Sequence, residues 1–493
     1  MRASSLIEKN GDTGVISSDL WRWSATTIAD AVRRGSLSVE EVVHSVLVRI
    51  AEVNPKINAF ALLDADGALA QARLRDNARA GGQPAGLLEG VPIHVKDLIP
   101  TAGMETAYGS FVMDGNVPAS DVCAVARLKK AGAILLGKTT TPEFGSKILT
   151  QSLRHGHTRN PWNLARSPGG SSGGAAAAVS AGMGPLAVNT DGAGSARVPA
   201  ACCGVLGFKP SIGLVPNDMA AALFENNQYL GLNTRTVADL ALALSVMNGP
   251  DPSDPWTVGR SRLEFSCPTQ PTARLRGLRV LYVPTMGNRL VEHSTRTLLE
   301  SLLDQLAGHG AEIRTLEQPF DWGITISYGW LRGMLHARLG HLLETSRDNL
   351  SPDFAAALES AAQIPRSVSE QLPLERTQLF RRVQQLFETA DLIVSPTIAA
   401  PSIALEHGVT EPLLIDGEVA GSLREAWYPY AGVANLTGHP AISVPMGLAA
   451  DGTPAGLHAM ARLQEDHRLI ELAAAIEVLR PWAAQWPACD PVA

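Results

Sequence analysis

Two short segments, GGSSGG and TDGAGSAR, set serines among glycines, and a lysine upstream closes the apolar run VPIHVK. Ser171 and Ser172 lie between four glycines, Ser195 directly follows a second glycine-rich turn, and the lysine is Lys96. These residue types supply the parts of acyl-transfer chemistry. A hydroxyl attacks a carbonyl once a base takes its proton. Consecutive backbone amides in a tight turn can hold the oxyanion that results. A lysine serves as base only when neutral, and burial favours that form by penalising the ammonium charge. Asp97 would oppose neutrality if it paired with Lys96, but successive strand residues point to opposite faces. The plainer alternative is a pair of flexible surface loops and a solvated lysine. The residues alone leave both readings open.

The elements around these residues set the expectation of order. The stretch between the serine segments, GGAAAAVSAGMGPLAV (Gly173 to Val188), is apolar, small and uncharged. It is too short for a membrane span and is expected to be a closely packed buried helix. GVPIHVKD and AILLG are expected as buried strands. Helices are expected over 24–52, with Ser38 and Glu41 forming a capping box and Ser36 the weaker cap. Further helices are expected over Ala65 to Ala80, 119–131, 236–247, 292–309, most of 320–390, and Asp466 to Leu479. AISVPMG and AGLHAMA are expected as strands. Strands interleaved with helices and no internal repeat give an α/β layered fold.

Other patterns are weaker. GAILLGKT (Gly132 to Thr139) matches the phosphate-loop spacing, but its four middle residues are strand formers rather than a pliable loop, and Pro142 follows closely. Nucleotide binding is therefore not expected. His155 and His157 have no recognisable third ligand nearby, so no metal site is expected. The five cysteines, Cys123, Cys202, Cys203, Cys267 and Cys489, form no disulfide framework, which fits a reducing, cytoplasmic setting. The 493 residues carry 41 basic and 48 acidic side chains, a net charge of −7 without a basic block, so nucleic acid is not an expected partner. The first residues, MRASSLIEKNGDTG, show no apolar signal core.

At the serine and lysine segments the chain resembles the amidase signature family. The likeness runs through GLLEGVPIHVKDLI, LKKAGAILLGKTTTPEFG, NPWNLARSPGGSSGG, NTDGAGSARVPAACCGVLGFKP, LNTRTVADLALALSVMNGPDPSDP and NLTGHPAISVPMG. It covers nearly the whole chain and is least typical over 255–425. The resemblance implies one amidase domain over 1–493, with an N-terminal helical segment near 24–80 and a substrate-shaping region near 255–425. The implied fold is a central, twisted mixed β-sheet with helices on both sides.

The family's catalytic lysine falls on Lys96, its serine with a cis peptide bond on Ser171 and its nucleophile on Ser195. Its oxyanion amides fall on Gly192, Ala193, Gly194 and Ser195, and its site-shaping arginine on Arg197. The implied reaction is hydrolysis of an amide through an acyl-enzyme, without cofactor or metal. The implied substrates are small amides, esters or carbamates, with no membrane partner; a homodimer stays open.

Two positions depart from the family. Ala193 replaces a usual glycine, which puts in question the local dihedral and the space beside it. Thr140 replaces a frequent asparagine and is expected to be structural. Related readings are a carbamate or aryl-acylamide hydrolase, and a glutaminase subunit of a tRNA-dependent amidotransferase. Against the last, the chain has PEFGS where those subunits usually show a DEFAMG-like segment. A binding-only relative is disfavoured because all three key positions are retained. Trp322, Tyr328, Trp330 and Trp427 could line an acyl pocket or pack the core.

Overall fold

The computed structural model describes residues 19–225 and 227–489, and for residues 324–328 the backbone alone. In chain order the strands are β1 (Phe60–Leu63), β2 (Pro92–Lys96), β3 (Ile134–Thr139), β4 (Gln151–Ser152), β5 (Gly156–His157), β6 (Leu186–Asp191), β7 (Leu206–Lys209), β8 (Tyr229–Thr234), β9 (Arg279–Tyr282), β10 (Glu312–Thr315), β11 (Leu392–Pro396), β12 (Leu413–Ile415), β13 (Glu418–Gly421), β14 (Ala441–Leu448) and β15 (Pro454–Ala461). Eleven of them build one sheet in the order β1-β3-β2-β6-β8-β7-β14-β15-β11-β9-β10. The ribbons β4-β5 and β12-β13 stand apart from it.

The sheet is mixed. β2 runs parallel to β3 and β6, and β9 parallel to β10 and β11, while the strands between these groups pair antiparallel. Every residue of β2, β3, β6 and β8 is buried. Strands read as continuous apolar runs when helices cover both faces, as they do here. Register places Lys96 beside Thr139 and Val95 beside Val188, so the C-terminal ends of β2, β3 and β6 meet. That edge of a parallel sheet is where α/β folds commonly hold their ligands.

Local signals explain many elements. Helix Val39–Ile57 starts at Ser38, whose Oγ accepts the Glu41 N–H while the Glu41 carboxylate accepts the Ser38 N–H. Ser36 is not a cap; its hydroxyl donates to Ala31 O, and Ser24 caps the preceding helix Ala25–Arg34. Helices Ala65–Ala80 and Asp466–Leu479 occupy the expected ranges.

One expectation needs correction. The Gly173 to Val188 stretch is not a single helix: only Gly173–Ser180 is helical, a turn follows, and Leu186 begins β6. Two glycines explain the break, since Gly182 and Gly184 adopt φ of +78° and +121°, outside the helical region.

A smaller apolar cluster lies beside the main core. Leu342, Leu350, Phe354, Ala355 and Leu358 pack with Phe144, Leu335 and Leu339, joining helices Ile324–Leu339 and Pro352–Ala362 to the loop after β3. Among the described residues no helix is long and apolar enough to cross a membrane.

Candidate active site

Lys96 is the last residue of β2 and is fully buried. Its Nζ lies 2.8 Å from Ser171 Oγ, 2.8 Å from Ser172 Oγ and 3.0 Å from Thr190 Oγ1. Burial pushes its ammonium well below the ordinary lysine range, against an upward pull from Asp191. Asp97 does not take part. Its carboxylate faces away and accepts the N–H groups of Ala107 and Gly109 at 2.9 and 3.0 Å.

Ser171 follows a cis peptide bond from Gly170. Its hydroxyl lies 3.1 Å from Ser195 Oγ, which gives an unbroken polar line from Lys96 through Ser171 to Ser195. Ser172 N–H donates to Ser195 O at 3.2 Å, tying the two serine segments together.

The turn between Asp191 and Ser195 is shaped from within. Gly194 has φ +106°, and a Cβ there would meet Ala431 Cβ at 2.4 Å, so this position requires glycine. Ala193 is not among the left-handed residues, so its backbone at this position does not require glycine. Gly194 N–H donates to Asp191 Oδ1 at 2.7 Å and is occupied by the turn itself. The N–H groups of Gly192, Ala193 and Ser195 are not taken up within the chain among the described residues.

A buried electrostatic clamp holds Asp191. Arg197 donates from Nε to Oδ2 and from Nη2 to Oδ1, both at 2.9 Å, and both side chains are wholly buried. Burial alone would raise the Asp191 pKa, but Arg197, Gly194 and Asn435 together hold the carboxyl well below the usual range. Asn435 accepts from Arg197 Nη2 at 2.6 Å and donates to Asp191 O at 2.8 Å. Arg197 Nη1 lies 2.7 Å from His458 Nε2. A guanidinium only donates, so that nitrogen accepts and the ring proton sits on Nδ1. Burial and Arg197 both keep this histidine neutral.

The serines open onto a cleft of about 190 Å³. Its walls include Leu98, Phe144, Ile148, Leu331, Met334 and Tyr428. Phe144 stacks between Tyr108 and Phe354, with centroids 5.8 and 5.1 Å away. The buried Glu143 carboxylate accepts from Ser110 Oγ at 2.6 Å and from Ser351 N and Oγ at 2.8 and 2.5 Å, which pins the helical cover to the core.

The Amidase family model matches residues 41–470. This chain belongs to the amidase signature family. It is thus a hydrolase of amide C–N bonds. An acylamidase of Rhodococcus erythropolis is 37% identical over 480 residues, which cover 94% of this chain and 97% of that protein. A solved bacterial aryl acylamidase of the amidase signature family matches with TM-score 0.85 at 30% identity, covering 95% of this chain and 99% of the other. A glutamyl-tRNA(Gln) amidotransferase subunit of Roseiflexus sp. (strain RS-1) is 34% identical over 489 residues, covering 93% of this chain and 96% of that protein.

In this amidase the expected residues Ser171, Gly192, Ala193 and Ser195 line one cleft, Lys96 lies beneath Ser171, and Arg197 joins the group through Asp191. The three tryptophans weighed for the pocket are core. Trp322, Trp330 and Trp427 are buried outside the cleft lining, and each indole N–H donates to a backbone carbonyl. The Tyr328 side chain lies outside the described residues. His155 and His157 face Asp97 and Glu406 separately, at 3.8 and 3.7 Å. Gly132 to Thr139 contributes β3, where Lys138 Nζ lies among three hydrogen-bonding neighbours, Ile99 O, Thr101 Oγ1 and Thr106 Oγ1. Thr140 is structural, with its hydroxyl 2.6 Å from Thr158 Oγ1. Sequence reasoning missed Ser172, Thr190, Asp191, Asn435 and His458. Ser172 and Asp191 lie inside the quoted motifs, whereas nothing local marks Asn435 or His458.

Proposed function

We propose that this amidase cleaves small carboxylic amides through an acyl-enzyme on Ser195, with Ser171 carrying the proton and Lys96 as the base. The observation that carries this reading is the polar line of 2.8 and 3.1 Å from a buried amine, through one hydroxyl, to another at the cleft floor. Hydrogen-bond arithmetic supports the direction of transfer. Ser172 Oγ donates to Thr190 O at 3.1 Å, so toward Lys96 it can only accept. A neutral amine has two donors and one lone pair. Giving the donors to Ser172 and Thr190 leaves the lone pair for the Ser171 hydroxyl. Ser171 then accepts the Ser195 proton as Ser195 Oγ attacks the carbonyl.

The N–H groups of Gly192, Ala193 and Ser195 are the donors we assign to the oxyanion, and Gly194 keeps the turn in shape. Arg197 acts through Asp191 to hold that turn. Ser171 returns the proton to the leaving nitrogen, the C–N bond breaks, and water repeats the sequence to release the acid.

Likeness to an acylamidase and an aryl acylamidase supports acyl amides, including anilides, as the first substrates to try. Carbamates and esters follow the same path. The whole chain acts as one amidase unit, with residues 255–425 shaping the substrate side. Free cysteines and a sequence without a basic block support a cytoplasmic enzyme that does not bind nucleic acid. The similarity to amidotransferase subunits keeps a second reading in view, ammonia release from glutamine for a partner. Glutamine turnover that appears only on adding amidotransferase partner subunits would favour it.

The test is a fluorophosphonate probe with peptide mapping. Wild type should label at Ser195, and Ser195→Ala should lose both labelling and amide turnover. Labelling elsewhere with a fully active Ser195→Ala would overturn the assignment.

A further inference from the structure

The cleft above Ser195 has a charge character that amide hydrolysis itself does not need. Lys147, Arg332, Arg338 and Arg424 all line it, and among the described residues no Asp or Glu does. The chain as a whole is acidic, with net charge −7, so this concentration of cations is local. Lys147 is partly answered by Asp353, 2.9 Å away. Arg332 and Arg424 reach the same cleft from different elements. Burial lowers the Arg332 pKa and the charge of Arg424 lowers it further. Arg332 Nη1 donates to the neutral Ser360 Oγ at 2.6 Å. Arg424 comes from a different element, the π-helical turn Leu423–Trp427, and its guanidinium lies 5.5 Å from the Tyr428 ring centroid. Such π turns recur at functional positions.

The helix Ile324–Leu339 places these charges relative to the chemistry. Leu331 Cδ2 is 3.9 Å from the Cβ position at Gly192, so this part of the helix stands over the oxyanion turn. Arg332 follows directly. Arg338 lies six residues further, roughly 9 Å along the axis at the α-helical rise. Its charge acts on Tyr108, whose ring stacks with the cleft residue Phe144. Arg332 therefore adjoins the helix position that stands over the oxyanion turn, Arg424 lines the same cleft from its own turn, and Arg338 sits further along the helix.

We propose that this enzyme prefers amides bearing a carboxylate, with Arg332 and Arg424 binding the anion and Arg338 drawing it into the cleft. This rests on the amide-hydrolase reading of the Ser195 centre. Two guanidinium forks lining one cleft match the planar geometry of a carboxylate. A cleft lined by one sign of charge also raises the local concentration of the opposite ion.

The experiment compares matched anilides. Glutaryl-p-nitroanilide and valeryl-p-nitroanilide place the charge on the acyl side; N-acetyl-4-aminobenzoate and N-acetyl-4-toluidine place it on the amine side. In at least one series kcat/KM should favour the carboxylate by about 10-fold or more, mostly through KM, as for a charge-assisted hydrogen bond. Added salt should erode that preference. Arg332→Met and Arg424→Met should each cut the charged-to-neutral ratio by roughly 10- to 100-fold. Arg332→Lys should restore part of it. No preference in either series, or a ratio unmoved by both substitutions, would overturn the proposal.

Calorimetry with glutarate on Ser195→Ala separates the two readings. Binding lost in Ser195→Ala/Arg424→Met, without any wild-type anilide turnover, would leave the anion site standing and sink the proposed reaction. Turnover of neutral anilides with no glutarate binding would sink only the anion site.

Discussion

Replacing Lys96 tests the base directly, and the structure sets the size of the effect. In Lys96→Met the stem length is kept and the amine is removed. Ser172 keeps Thr190 O and Ser171 keeps Ser195, at 3.1 Å each, so few hydrogen-bonding groups are stranded. A stranded buried hydroxyl, as at Thr190, costs about 1–3 kcal/mol, which a folded domain can survive. The catalytic loss should be larger. A positioned general base contributes roughly 10²- to 10⁴-fold, or about 3–5 kcal/mol of barrier. Lys96→Arg should lose at least as much. Its charge cannot be shed near neutral pH, and Asp191, the carboxylate whose charge acts on Lys96, is already paired with Arg197. It should also be less stable than Lys96→Met, because it buries an unpaired charge.

The assay is kcat/KM against pH on an anilide and on the corresponding ester, with stability followed by urea unfolding. Since burial lowers the Lys96 pKa, wild-type activity should rise as pH passes the folded value and then hold into the alkaline range. Both variants should lose that rising limb, and esters should suffer less than anilides because an alkoxide leaves with less help from a proton. A folded Lys96→Met or Lys96→Arg with near-wild-type anilide hydrolysis would refute the role of the amine.

Two further predictions rest on separate features. Gly194→Ala forces a side chain onto φ +106° against Ala431, so the oxyanion turn must shift and kcat should fall by roughly 10²-fold, whereas Ala193→Gly should change it little. Equal effects of the two substitutions in steady-state kinetics would contradict this account of the turn. Burial lowers Lys138 to about 7, so between that pH and the unfolded lysine value the unfolded chain binds the extra proton and wild-type stability rises with pH. Relative to Lys138→Met, wild type should gain about 1.4 kcal/mol per pH unit from pH 7.5 to 9.5; parallel urea-stability curves would show that Lys138 is not held neutral.

The legible parts of this protein were those written locally. The capping box at Ser38 and Glu41 and the helices Ala65–Ala80 and Asp466–Leu479 follow from side chains within a few residues of each other. The stretch after Gly173 was harder. All eight residues of helix Gly173–Ser180 are buried, so no polar face marks its period or its end. β8 reads YLGLNT with every position buried and offers no alternation either. The glycine-rich segments located Ser171 and Ser195, but not the partners that orient them. Asn435, on helix Gly432–Thr437, and His458, on β15, reach Arg197 across 238 and 261 residues, and only the tertiary fold brings them there. The tryptophans of the variable region were ambiguous because a large aromatic with one N–H suits a pocket wall and a core equally. Their backbone carbonyl partners decide for the core.

The order of strands in the sheet also governs when the protein can begin to work. β15, which carries His458, is not at a margin but between β14 and β11. The residues from Lys96 to Ser195 leave the ribosome long before it. A nascent chain holding all three reacting groups still lacks Asn435 and His458, and the middle of its sheet is an open seam with unpaired strand edges. During synthesis that seam leaves strand edges open to wrong pairing until β14 and β15 insert. Catalysis thus becomes a late checkpoint on a finished molecule: a fragment cut short of β15 carries the chemistry's letters without the frame that spells them.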